Sequence, residues 1–195
     1  MRHLSLHPTH LAWLPLVCAL ACHRGPAGAT AAASERATDV APSSISEGNV
    51  IAIILAANNT DLSYARLVPA RARSSDVKAF AQRMLTDHTF LNTRVNEIAL
   101  AHGITAEDNA ISLDFRDHSA ARRDILRDLD GPKFDSTYAA NEVEYHTELL
   151  AAIDKVLVPA SRTPELRTFV VNLKPAVSAH LAHAEQMRAA VAAAK

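Results

Sequence analysis

Between residues 46 and 193, apolar side chains recur at steps of three and four, in stretches whose lengths resemble one another. Such a period gives each helix an apolar stripe, and each stripe needs a neighbouring helix to cover it. The first stretch, at about 46–72, carries Val50, Ile54, Ala57, Asp61, Tyr64 and Val68, with Pro69 near its end. Ser74-Ser75-Asp76 is an N-cap signal. The stripe that follows is the cleanest in the chain: Val77, Phe80, Ala81, Met84, Leu85, His88, Leu91, Val95, Ile98 and Ala99, closed at His102-Gly103. Thr105 to Asp108 reads as a capping-box variant for a shorter helix at about 107–129. Its apolar positions (Ile111, Phe115, Ile125, Leu129) are sparse, which predicts a place on the outside. The next helix, at about 133–157, aligns Phe134, Tyr138, Glu142, Tyr145, Leu149, Ile153 and Val156, and Pro159 closes it. The last, at about 164–193, begins at Thr163-Pro164-Glu165 and carries Leu166, Phe169, Leu173, Val177, His180, Leu181, Ala184, Met187 and Val191. Pro175 within it predicts a kink.

Four of these helices have about 26 residues, or about 39 Å, each. Short joins make the first two and the last two antiparallel hairpins, and the long middle join holds the short helix. The expectation is an all-α, ferritin-like four-helix bundle over 46–195, built from two hairpins and a long helical crossover. Only 5 glycines in 195 residues argue against a β-sandwich or barrel. With 20 basic and 21 acidic residues the chain offers no electrostatic footing for nucleic acid.

The start of the chain reads as an address. A basic residue, Arg2, precedes the apolar run at 11–22. That run is far shorter than the roughly 20 residues a membrane-spanning helix needs, so 1–22 is expected to be an export signal. Ala19-Leu20-Ala21-Cys22 resembles the lipobox of bacterial lipoproteins, with Cys22 as the acylated first residue of the mature chain; Ala19 to Ala21 also suits ordinary signal peptidase. Residues 23–45, rich in Ala, Gly, Pro, Ser and Thr, read as a tether. The expected location is the periplasm, with the lipid on Cys22 anchoring the chain to the outer membrane. Cys18 and Cys22 are the only cysteines, so a domain that starts after them has neither a disulfide nor a thiolate metal site.

Polar groups interrupt the stripes near the middle of each long helix: Asp61, His88, then Glu142, Tyr145 and His146, then His180 with His183 one turn on. Antiparallel helices of equal length align their midpoints, so these groups are expected at one level of the bundle. Buried there, they must be hydrogen-bonded or metal-bound. Two readings stay open. In one, the groups pair with each other in a structural layer that sets helix register. In the other, Asp61, His88, Glu142, His146, His180 and His183 bind a transition metal, for which imidazole and carboxylate suit Fe, Zn, Mn or Cu. The di-iron template, with Glu-x-x-His on two helices, is not met: Leu85 and Val177 stand three before His88 and His180, and Glu142 lies four before His146. For His88 and His146, burial would lower the pKa while Asp61, Asp87 and Glu142 would raise it, and the acids are expected to win for at least one of the two. His102 and His118 fall at polar or terminal positions and are expected in solvent.

Ala56-Ala57-Asn58-Asn59-Thr60-Asp61 with Tyr64-Ala65, the run from Val77 to Met84 with Thr86-Asp87-His88, Phe134-Asp135, Tyr138, Tyr145-His146, and His180-Leu181 with His183-Ala184 together resemble a bacterial family, domain of unknown function 4142, of the ferritin-like superfamily. The resemblance covers about 46–190. It implies a fold and export from the cytoplasm, not a reaction. Family members often carry Glu where this chain has Ser63, so one acid is missing here. The reading is therefore a non-enzymatic envelope domain with a structural, stress-related or interaction role; the alternative is a metal-binding or metal-dependent redox protein that uses the mid-bundle layer.

Overall fold

The computed structural model describes residues 44–194. The expected signal at 1–22, Cys22 with its lipid, and nearly all of the tether at 23–45 lie outside the described residues. Those residues are mostly helical, with no strand. In chain order they form α1 (Glu47–Ala65), the single turn α2 (Val68–Arg71), α3 (Ser75–Ala101), α4 (Ala110–Arg127), α5 (Gly131–Ala152), a π-helical turn (Ile153–Leu157), α6 (Val158–Ala160) and α7 (Pro164–Ala193). No helix among the described residues is long and apolar enough to cross a membrane.

Local chemistry sets the boundaries. Ser46 and Asn49 cap α1 reciprocally, each side chain taking the other's backbone N–H at 3.0 and 3.1 Å. The expected helix at 46–72 breaks at Arg66-Leu67. Pro69 has no N–H, and its ring would strike the Ala65 carbonyl, so a new turn starts instead. Ser74 caps α3, as its sequence suggested. Gly103, at φ 63°, ends that helix in a Schellman motif: Ile104 N–H bonds to the Ala99 carbonyl at 2.8 Å and Gly103 N–H to Leu100 at 3.3 Å. The cap of α4 is not the expected Thr105–Asp108 but Asn109, paired with Ser112. Thr163 precedes α7 without capping it; its hydroxyl donates to Glu47 at 2.9 Å. Pro159 lies within α6, just past the π-helical turn, and the helical rod ends at Ala160. α7 stays helical across Pro175.

Cross-links give the register. Asn58 meets Asn92 and Asp61 meets His88, so α1 and α3 are antiparallel. Lys174 to Asp154 sets α7 against the far end of the α5 rod, and Asp87 to His180 with Glu165 to His102 sets α3 against α7. α4 lies outside the four long helices, as expected, but it packs closely on α1 and is tied to α5 by Arg122 to Glu144 and Glu148. Its buried apolar positions are Ile111 and Leu126; Ile125, expected inward, is 59% exposed, so the inward phase slips by one residue there. α1 is thus covered on several sides, and Ile51, Ile53 and Leu62 are buried off its expected stripe.

The apolar core divides in two. One cluster gathers around Ile53, Val95, Leu149, Leu157 and Val170, the other around Val68, Phe80, Met84, Phe134 and Met187. Each fully buried side chain of this kind contributes about 1.5–3 kcal/mol by leaving water. The polar layer lies between the two.

Candidate metal centre

Asp61, His88, Glu142 and His146 are fully buried, and His180 is 3% exposed. α1 supplies Asp61, α3 His88, α5 Glu142 and His146, and α7 His180, so all four long helices meet at this level. One nitrogen each from His88, His146 and His180 lies within 4.8 Å of the other two. Ligand atoms of Asp61, Glu142 and His146 form a second group of the same size.

Each imidazole has one nitrogen engaged away from its neighbours. His146 Nδ1 lies 2.8 Å from the Glu142 backbone carbonyl, which only accepts, so Nδ1 carries the proton. His180 Nε2 donates to Asp87 Oδ2 at 2.9 Å. His88 Nδ1 lies 2.9 Å from Asn58 Oδ1. The opposite nitrogens, His88 Nε2, His146 Nε2 and His180 Nδ1, are buried and make no aligned hydrogen bond, and the same holds for both oxygens of Asp61 and of Glu142 and for Tyr138 Oη. Asp61 Oδ2 is 2.8 Å from His88 Nε2 and 3.4 Å from His146 Nε2, within ion-pair distance but without hydrogen-bond alignment. Buried polar atoms are rarely left this way without an ion, a water or a catalytic role.

The electrostatics sort the carboxylates. Burial pushes the Asp61 carboxyl up, but the His88 and His146 imidazoles outweigh it and hold Asp61 well below the usual range. Glu142 goes the other way: burial first, then the Asp61 charge, raise it well above. Burial pulls His180 down to about 4, against the opposing effect of its hydrogen bond to Asp87. Tyr145, also in this layer, donates to the Ala57 carbonyl at 2.6 Å.

Of the six residues expected in the layer as ligands, five come together. His183 does not: it is half-buried, packs edge-on against Phe80 at 5.1 Å, and belongs to neither ligand group. His102 and His118 are partly exposed and pair with Glu165 and Asp114. Ser63 bonds to the Thr60 carbonyl and lies 3.4 Å from Ser119 of α4. The sequence marks Asp87 only as a nearby charge and does not place Asn58 and Asn92 in the layer. Their sequence signal is slight: polar residues one turn from Asp61 and His88. Buried imidazole with carboxylate, each ring anchored through its far nitrogen, is a donor set that could hold a transition metal.

Neither the curated proteins nor the solved structures contain a match to this chain. Residues 29–187 match the family model described as "Domain of unknown function (DUF4142)", and the chain belongs to that family.

Proposed function

We propose that this domain is a transition-metal-binding protein of the cell envelope, with His88 Nε2, His146 Nε2, His180 Nδ1 and Asp61 as the ligands. The observation that carries this reading is the set of buried donor atoms without aligned partners at one level of the bundle. A purely structural layer would pair these atoms with each other, because each buried polar atom left unpaired costs about 1–3 kcal/mol. Three imidazoles and one carboxylate suit Zn, Cu, Fe or Mn, and a bound ion would satisfy the four ligands at once. The helix order and register support a ferritin-like bundle with α4 as its crossover. The envelope location rests on the export signal and lipobox-like Ala19 to Cys22; Cys22→Ala is expected to release the protein from the membrane fraction.

The test is elemental analysis of the chain purified from the envelope fraction, before and after equilibration with each of the four metals. About one equivalent of metal is expected, and none in His88→Ala with His146→Ala. A folded wild-type chain that takes up no metal overturns the reading.

A further inference from the structure

We infer that Asn58 is a positioning residue for this site: its side chain, held by Asn92 and Asn59, keeps the His88 proton on Nδ1 and leaves Nε2 free to ligate. The inference rests on the metal-binding reading and deepens it.

His88 is the ligand with the strongest competing use. Its Nε2 lies 2.8 Å from Asp61 Oδ2, closer than His146 Nε2 at 3.4 Å. A neutral ring with its proton on Nε2 would hydrogen-bond to that carboxylate, and its lone pair would lie on Nδ1, turned away from the site. Something must hold the proton on the far side. His146 has a backbone carbonyl for this, and His180 has the Asp87 carboxylate; both partners only accept. His88 alone depends on a carboxamide, which either accepts or donates according to which way it faces.

Asn58 faces its oxygen to His88 because its nitrogen is committed elsewhere. Asn58 Nδ2 donates to Asn92 Oδ1 at 2.9 Å, and Asn92 Nδ2 donates to Asn59 Oδ1 at 3.0 Å. The four side chains form a head-to-tail series from exposed Asn59 to buried His88. Reversing the series would turn Asn58 Nδ2 toward His88 Nδ1 and force the proton onto Nε2. The series therefore has a ligating direction and a pairing direction, and the structure holds the ligating one. Asn58, 4% exposed and packed between α1 and α3, is the member that touches the imidazole.

The tautomer is read directly from histidine side-chain ¹⁵N correlations in the metal-free full chain, at about pH 8.5, well above the ordinary imidazole range. His88 is expected with its proton on Nδ1. Asn58→Ala should move the proton to Nε2 and weaken Zn²⁺ binding, measured against a competing chelator, by about 10- to 100-fold. Asn58→Asp, which only accepts, should keep the Nδ1 proton and restore Zn²⁺ binding. A wild-type proton on Nε2, alone or with Nδ1, overturns the inference, as does a folded Asn58→Ala chain with unchanged tautomer and affinity. Absence of Zn²⁺ uptake by the wild-type chain refutes the metal reading instead, since the tautomer is measured without metal.

Discussion

His180 should make the metal-free fold sensitive to mild acid, and the size of the effect follows from its surroundings. Its folded pKa is about 4 against 6.5 for the free side chain, mainly because burial disfavours the charged ring. The folded state then refuses a proton that the unfolded chain accepts. Stability from this group is complete above about pH 6.5, is lost as pH falls from there toward 4, and loses nothing more below. At 1.36 kcal/mol per pKa unit the full loss is about 3 kcal/mol. Glu142, raised by burial and by Asp61, acts oppositely: its contribution is present at acid pH and fades as pH rises. The wild-type curve alone would mix the two. His180→Gln removes one titration and keeps the other, so the difference between the two proteins isolates His180. With chelator present, urea unfolding from about pH 4 to pH 7.5 should show the wild-type advantage over His180→Gln growing by about 3 kcal/mol as pH rises. A difference that stays flat or shrinks with pH refutes the reasoning and would mean that the Asp87 hydrogen bond outweighs burial.

A Cβ at Gly48 would stand 2.5 Å from the Thr105 backbone oxygen, where the chain entering α4 crosses α1. Gly48→Ala should therefore lower the melting temperature despite the better helix propensity of alanine, by an amount corresponding to about 1–3 kcal/mol. Asn109→Ala should cost about 1 kcal/mol in denaturant unfolding as the α4 cap is lost, while Thr105→Ala should be close to neutral. Tyr145→Phe removes a buried 2.6 Å hydrogen bond to the Ala57 carbonyl and should cost about 1 kcal/mol by the same assay, with metal uptake unchanged.

Helix periodicity was legible because each long helix buries a stripe, and a stripe is a property of spacing alone. Val77, Phe80, Met84, His88, Val95 and Ile98 are all buried as their spacing predicts. The mid-helix level of Asp61, His88, Glu142, His146 and His180 was legible for the same reason: polar residues inside an apolar stripe are buried when the stripe is. Where a segment has two packing partners, spacing is insufficient. α1 packs against both α3 and α4, and Ile51 and Leu62 are buried off its main stripe. The same docking shifts the buried phase of α4 from Ile125 to Leu126.

The site divides in a similar way. Residue type and helix phase determined which imidazoles and carboxylates share a level. Their rotation about that level, a matter of side-chain torsions and neighbouring helices, was decided only by the tertiary structure. His180 faces its two partner histidines, whereas His183, less than one turn on, rests against Phe80. The partners that anchor each ring, Asn58, the Glu142 carbonyl and Asp87, also come from packing. They lie 30, 4 and 93 residues from their histidines, and no local pattern ties either of the distant pairs together.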